Sequence, residues 1–301
     1  MSRTVNGGPT RCRRSRHGTP SDSCRSESVA TAGADDRLVS GRPVVDLHSH
    51  ILPGIDDGPA DMEGAVALAR AAVEDGTKVL AATPHVREDH PGVRLDELVE
   101  RCARVNEVLA ENEVPLVVVV GAEVDVLWTH DASDEELRLA TYGQSGTDML
   151  LETPYGLLPP GFEDWVFSGP SVAGIRVMLA HPERNLGFQQ SPERLVEMVE
   201  RGVLVQVTAG SLAGRRKTES RKLARWLVSQ GLAHVIASDA HRATEFRPPL
   251  MSVGVDAVTS EVGSARAEWM ADAAPRAVLA GEPLPPMPEA KRGGLLGGLR
   301  R

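Results

Sequence analysis

Cysteine is scarce in this 301-residue sequence: Cys12, Cys24 and Cys102 form an odd and scattered set. That argues against a disulfide framework and fits a reducing compartment. Nowhere does the chain approach the roughly 20 consecutive apolar residues that span a bilayer. The early arginines Arg11, Arg13, Arg14 and Arg16 are followed by no apolar run, which argues against a signal peptide. The location expected from these absences is the cytoplasm. A basic excess is also missing. The formal net charge is −9; residues 1–42 hold eight Arg against four Asp/Glu, a net of +4, so the rest of the chain carries −13. Nucleic-acid binding depends on neutralising phosphates with Lys and Arg, so an acidic body argues against that class. The acidity suits a divalent-metal enzyme, and it equally suits an ordinary soluble surface.

What the chain does contain is enough apolar residue, 41%, to bury a full-sized core in one domain of roughly 250 residues. The expected divisions are a disordered basic Ser/Gly/Arg-rich arm over 1–42, a folded domain over 43–282 and a flexible Pro/Gly-rich tail over 283–301. The arm lacks the large apolar side chains that offset the entropy of ordering, and chain ends of this composition fray. Inside the domain, seven short apolar runs recur at about the 30-residue length of a strand-plus-helix unit. They are Val44–Leu47, Val79–Ala82, Leu116–Val120, Asp148–Leu151, Ile175–Ala180, Val203–Val207 and His234–Ala237.

The segments between them read as helices. Asp61 is placed to cap one that Gly76 ends, and Leu95, Leu98, Val99, Cys102, Val105 and Leu109 make the buried stripe of another. Ser191-Pro192 reads as a cap with proline at the first helical position, and Gly202 and Gly231 each close a helix. Strands alternating with helices predict a parallel sheet, and seven units predict a closed or nearly closed barrel.

The ends of the runs carry the chemistry. In Val44-Val-Asp-Leu-His48-Ser-His50 the histidines stand at i and i+2, so in a strand they point the same way and can share one metal ion. Pro53, Gly54 and Gly58 then make a tight return that brings Asp56 or Asp57 back over them. Thr83-Pro84-His85 follows the second run and Gly121-Ala122-Glu123 the third. His181-Pro182-Glu183-Arg184 follows the fifth, and Ser238-Asp239-Ala240-His241 the seventh. Functional groups of parallel barrels lie at the carboxyl ends of the strands, which puts His48, His50, Asp57, His85, Glu123, His181, Asp239 and His241 on one face. Any single histidine beside an apolar run reads as a hydrogen-bonded structural residue; five of the nine at strand ends do not. His17, His90, His130 and His234 lack that setting and read as structural or solvent-exposed.

The order His-x-His with Asp-Gly, then Thr-Pro-His, Gly-Ala-Glu, His-Pro-Glu-Arg and Ser-Asp-Ala-His resembles the PHP family, the polymerase and histidinol phosphatase superfamily. Within it, His-Ser-His-Ile-Leu-Pro-Gly-Ile-Asp-Asp-Gly together with Arg247-Pro248-Pro249 is similar to the bacterial capsule and exopolysaccharide tyrosine phosphatases. The resemblance covers about Val44 to Gly281. It implies an α/β fold, a distorted seven-stranded (β/α) barrel of PHP type, holding up to three metal ions, commonly Mn²⁺. Imidazole and carboxylate ligands also accept Zn²⁺ or Fe²⁺. It further implies that His48, His50, Glu123 and Asp239 surround one ion, that Glu123 bridges to a second held by His181, and that Asp57, His85 and His241 hold the third. Arg184 and Arg247 are the natural phosphate clamps, because a guanidinium fork matches two phosphate oxygens.

The activity so implied is metal-dependent hydrolysis of phosphotyrosine on a protein, with a bacterial tyrosine kinase that controls capsular or exopolysaccharide export as the expected partner. Two alternatives stay open: a small-molecule phosphatase such as histidinol-phosphate phosphatase, and a non-catalytic metal-binding module. Asp at position 57, where other superfamily members often carry His, favours the first reading, and the presence of all eight ligand types counts against the last. A cysteine-dependent phosphatase is set aside, since it needs a low-pKa thiolate in a phosphate-binding loop and Cys102 lies in a helical stripe. The loop from Thr153 to Trp165 brings Tyr155, Phe162 and Trp165 together in a chain with 3% aromatics. It is expected either to wall the substrate ring or to pack onto the barrel. Some relatives assemble into rings, but no feature of these residues argues for one.

Overall fold

A computed structural model describes residues 44–291, apart from 155, 171–172 and 214–217. The arm expected over 1–42, Tyr155 and the tail beyond 291 lie outside the described residues. Among the described residues nine strands alternate with helices: β1 Val44–Ser49, β2 Thr77–Ala82, β3 His85–Val86, β4 Val117–Val120, β5 Glu123–Asp125, β6 Asp148–Glu152, β7 Arg176–Ala180, β8 Leu204–Thr208 and β9 Val235–Ala237. Every pairing between them is parallel. The architecture is mixed α/β with parallel sheets.

The strand pairing is not the seven-stranded barrel expected from the sequence. It gives a three-stranded sheet, β1-β2-β4, and a six-stranded sheet, β3-β5-β6-β7-β8-β9. Two of the expected runs are each followed, after a break, by a short further strand, β3 after β2 and β5 after β4. Pro84 has no N–H to give the ladder at the first break. At the second, the Tyr142 ring passes so close to Gly121 that a Cβ there would stand 2.9 Å from it. The Tyr142 hydroxyl donates to Leu47 O at 2.8 Å, so this buried ring ties the break to the first strand. The two sheets meet again near the functional residues: Asp239 N donates to His48 O at 2.9 Å and His50 N to Ala240 O at 2.8 Å.

Alternation along the strands divides the core. Val45, Leu47, Leu150, Met178 and Val235 gather around Tyr142 in one cluster. Val124, Met149, Leu151, Val177, Leu179, Val205 and Ile236 face the other way, into the larger core shared with the helices. Helix α1 (Met62–Glu74) is capped by Asp61, whose side chain accepts from Gly64 N. Helix α2 (Leu98–Glu111) buries Leu98, Cys102, Val105 and Leu109 as the spacing predicts. Val99 departs from that stripe and is 52% exposed, because it lies about 100° round the helix from Leu98. Ser191 makes no side-chain cap: the helix Glu193–Glu200 begins after Pro192, and Ser191 offers its carbonyl to Arg194 N at 3.2 Å.

Residues 283–291, expected to fray, lie along the body. Prolines cannot donate from the backbone but their carbonyls accept: Trp269 Nε1 donates to Pro285 O at 3.1 Å and Arg266 Nε to Pro288 O at 2.7 Å. Leu284 and Met287 pack against the core. Among the described residues no helix is long and apolar enough to cross a membrane.

Candidate metal centre

The eight ligand candidates converge. His48, His50, His85, Glu123, His181, Asp239 and His241 are buried, while Asp57 is 45% exposed at the rim. Glu123, the first residue of β5, sits between them. Its Oε1 lies 2.8 Å from His181 Nε2; its Oε2 lies 3.0 Å from His85 Nδ1, 3.2 Å from His48 Nε2 and 3.4 Å from His50 Nε2. Asp239 Oδ1 stands 3.4 Å from Nε2 of both His48 and His50. At the rim, Asp57 Oδ1 is 3.1 Å from His241 Nε2 and 3.7 Å from His85 Nε2. Ligand atoms cluster within bonding reach of a shared ion in four sets: His48 with His181 and Asp239; His48 with His50 and Glu123; His50 with Asp57, His85 and His241; and His85 with Glu123 and Glu152.

The tautomers are set from outside the cluster. His48 Nδ1 faces Gln206 Oε1 at 3.1 Å, His50 Nδ1 faces Asp56 Oδ2 at 2.7 Å, and His241 Nδ1 donates to Asp239 O at 2.9 Å. With Nδ1 engaged, Nε2 of each ring is left facing the cluster, the arrangement by which outer partners orient metal-binding histidines. Two buried atoms inside the cluster, Glu123 Oε2 and His85 Nδ1, make no hydrogen bond. Buried polar atoms are almost always partnered, so a pair left over among nitrogen and carboxylate donors fits bound metal. Among the described residues no thiolate is near, since Cys102 is buried in α2 and burial pushes its thiol up to about 12.

Electrostatics follow the same arrangement. Burial alone would raise the Glu123 pKa, but the charges of His48 and His85 and the contact with His181 hold it well below the usual range. For His50, burial works downward and is outweighed by contacts with Asp239, Asp56 and Glu123, which raise it well above an ordinary histidine.

Local backbone strain marks the strand ends. His181 and Asp239 have φ of 32° and 56°, and in the next turn Glu245 and Arg247 have 67° and 46°. Left-handed backbone at a residue with a side chain costs about 1–3 kcal/mol and persists where the surroundings over-determine it. The Asp56–Asp57 turn is held by a different device. Gly58 passes so close to His50 O that no side chain fits there, and Asp56 Oδ1 accepts from Gly58 N at 2.9 Å. Both aspartates are therefore used, Asp56 behind His50 and Asp57 at the rim.

Arg184 and Arg247 both reach Asp239. Arg184 Nη1 donates to Oδ2, and Arg247 Nη1 lies 3.3 Å from the same atom and 3.1 Å from His241 Nε2. With Glu152, His181 and Asn185 they border a recess of about 80 Å³. In the 153–165 loop, Phe162 is fully buried against Phe188, with ring centroids 5.9 Å apart, and Trp165 packs on the core with its ring 6.2 Å from His130. These two rings pack the loop onto the body.

Glu152, at the end of β6, is the residue that sequence reasoning missed. Its Oε2 stands 3.6 Å from His85 Nδ1 and accepts from Arg87 Nη1 at 3.2 Å, and burial together with the Glu123 charge lifts its pKa to about 8. The signal was a carboxylate closing an apolar run, the position the other ligands share. His90, expected apart from the site, stacks on His85 with centroids 5.2 Å apart.

Parallel strands whose carboxyl ends gather imidazoles and carboxylates, with no thiolate among the described residues there, define an α/β protein with a candidate metal centre. The chain belongs to the family described as capsular polysaccharide synthesis, CpsB/CapC, whose family model matches residues 44–280. It is 32% identical over 201 residues to the tyrosine-protein phosphatase YwqE of Bacillus subtilis, covering 66% of this chain and 77% of that protein. It is 26% identical over 246 residues to the tyrosine-protein phosphatase CpsB of Streptococcus pneumoniae, covering 78% of this chain and 98% of that one. A solved structure from work on YwqE and CpsB, described there as metal-dependent tyrosine phosphatases, matches with a TM-score of 0.71 at 29% identity, over 82% of this chain and all of the other. A β-aspartyl dipeptidase from Fervidobacterium islandicum, with TM-score 0.51 at 13% identity over 78% of this chain and 72% of its own, shares the fold alone.

Proposed function

We propose that this chain is a metal-dependent protein-tyrosine phosphatase, acting in the cytoplasm on a tyrosine kinase that regulates capsular or exopolysaccharide synthesis, with Mn²⁺ as its metal. The observation that carries the reading is Glu123: one carboxylate oxygen faces His181 and the other faces His48, His50 and His85. A carboxylate so placed would be able to neutralise more than one cation. The proposed ligands are His48, His50, Asp57, His85, Glu123, His181, Asp239 and His241, with Glu152 added. Metal held there would lower the pKa of water from about 15.7 to roughly 7 and would offset charge on the phosphoryl oxygens.

The chain's own residues do the rest. Arg184 and Arg247 grip the phosphoryl oxygens at the mouth of the site, their forks drawn into place by Asp239. Asp56, Gln206 and the Asp239 carbonyl hold three histidine rings with Nε2 turned inward. A phenol leaves with a pKa near 10 and so needs less proton assistance than an aliphatic alcohol. We read the two sheets as a split form of the PHP barrel, supported by the backbone bonds that join β1 to the segment after β9.

The test is kcat/KM on a phosphotyrosine peptide against histidinol phosphate and a phosphoserine peptide, in one Mn²⁺ buffer. Preference for phosphotyrosine is expected. Preference for histidinol phosphate transfers the assignment to a small-molecule phosphatase, and metal binding without turnover of any of them makes the chain a binding module.

A further inference from the structure

Nine of the ten aromatic side chains lie among the described residues, and eight of those belong to the interior. Tyr142, Phe162, Phe188 and Trp269 are buried, and Trp128, Trp165, Phe167 and Trp226 are partly buried against the core. Phe246 is the exception, 53% exposed. Large exposed apolar groups are common singly and mean little by themselves; here the setting is what matters.

Phe246 sits in the turn that links a candidate ligand to a candidate phosphate clamp. His241 N donates to Arg247 O at 2.9 Å, closing the turn, and Phe246 N donates to Thr244 O at 2.9 Å. The residues on either side, Glu245 and Arg247, are both left-handed without being glycine, so the turn is held in a strained form that presents the ring outward. The ring meets His241 edge-on, with centroids 5.7 Å apart and planes at 83°, and the Arg247 guanidinium carbon lies 5.2 Å from its centroid. Phe246 also borders a recess of about 450 Å³ lined by Pro59, Ala60, Ala67 and Ala243 together with the charged Asp61, Arg242 and Glu245.

We propose that Phe246 is the platform on which the phenyl ring of an aryl phosphate rests, and that it sets the preference for aryl over alkyl phosphates. This rests on the phosphatase reading for its biological meaning, since the aryl phosphate in question is phosphotyrosine. A phosphoryl group gripped between Arg247 and the His241 side of the cluster has the exposed face of the connecting turn beside its ester oxygen, and that face is Phe246. Offset or edge-on aromatic pairing at this position selects a ring without contacting the phosphoryl group. The 153–165 loop does not compete for the role through Phe162 or Trp165, both of which are engaged in packing.

Phe246 also touches Arg247, so the experiment has to separate ring binding from positioning of that arginine. Calorimetric titration of the Mn²⁺-loaded full chain with phenylphosphonate and with methylphosphonate does so, because both present the same anion and only one carries a ring. Wild type is expected to prefer phenylphosphonate. Phe246→Leu should weaken phenylphosphonate by about 3- to 10-fold and leave methylphosphonate unchanged, and Phe246→Tyr should restore the wild-type ratio. Equal loss on both ligands would show that the ring only positions Arg247, and no loss on either would show that it touches no ligand; each overturns the proposal. Because binding is read without turnover, a wild type that bound phenylphosphonate in this way yet failed to hydrolyse phosphotyrosine would overturn the phosphatase reading and leave the platform standing.

Discussion

Asp56 Oδ2 lies 2.7 Å from Nδ1 of His50, and that contact decides which nitrogen of the ring faces the other ligands. Nε2 is left 3.4 Å from both Glu123 Oε2 and Asp239 Oδ1. Asp56 also accepts from Gly58 N, so one carboxylate fixes both the ring and the turn that carries Asp57. Asp56→Asn keeps the shape and removes the charge. It should weaken metal binding by about 10- to 100-fold, the usual effect of losing a partner behind a ligating histidine. Titration against a competing chelator reads this directly, and wild-type affinity would remove Asp56 from the account.

Glu123→Gln should lose about tenfold or more activity beyond either Asp57→Asn or His85→Gln at saturating Mn²⁺, because its two oxygens face different histidines. Similar rates for the three variants would mean that Glu123 serves a single ion.

Away from the site, His234 sets a pH dependence of stability. Burial first, and the Arg176 charge second, lower its pKa from the ordinary 6.5 to about 4. Its Nδ1 accepts from Val205 N at 3.1 Å, a contact that needs the neutral ring. The unfolded chain takes up this proton below 6.5 and the folded chain only below about 4. The contribution is therefore present above pH 6.5 and lost as pH falls from 6.5 to 4, amounting to about 3 kcal/mol. His234→Asn retains an acceptor without a titration, so urea midpoints of wild type and variant should converge or cross as pH falls through that window. A difference independent of pH would contradict the assignment.

Cys102→Ser separates a thiol mechanism from a packing role. Burial holds the thiol neutral on the core face of α2, so turnover should be unchanged. Stability should fall by about 1–2 kcal/mol for an unpartnered buried hydroxyl. Loss of turnover in a folded variant would restore a role for the thiolate.

Much of the candidate site was legible because its ligand candidates sit in short turn sequences at the ends of apolar runs, where residue type and position agree. His48 and His50 at i and i+2 needed only strand periodicity. Glu152 was harder to see, since Asp148–Leu151 reads as complete without it and the Thr153-Pro154 that follows it reads as the start of the loop rather than as a mark on the carboxylate. Gln206 lies in the middle of β8, fully buried; that it orients His48 depends on a contact across 158 residues that no local pattern encodes. Asp46 is similar: buried in β1 and raised to about 6 by that burial, it accepts from Ser238 N just ahead of Asp239. The division into two sheets was missed for a comparable reason, because Pro84 and Gly121 read as ordinary turn residues until Tyr142 is seen to occupy the space beside Gly121. Phe162 and Trp165 looked available in a chain poor in aromatics, but scarcity is also why the core takes them.

The central claim is that the cluster around Glu123 holds the metal on which phosphotyrosine hydrolysis depends. Elemental analysis of active protein, followed by chelation and stepwise return of Mn²⁺ with turnover of a phosphotyrosine peptide at each step, tests it most directly. The account predicts two to three ions per chain on the strength of the four overlapping ligand sets, activity abolished by chelation and restored as those ions return, and a lower ion count in Glu123→Gln. Undiminished turnover in fully chelated, metal-free protein would contradict it.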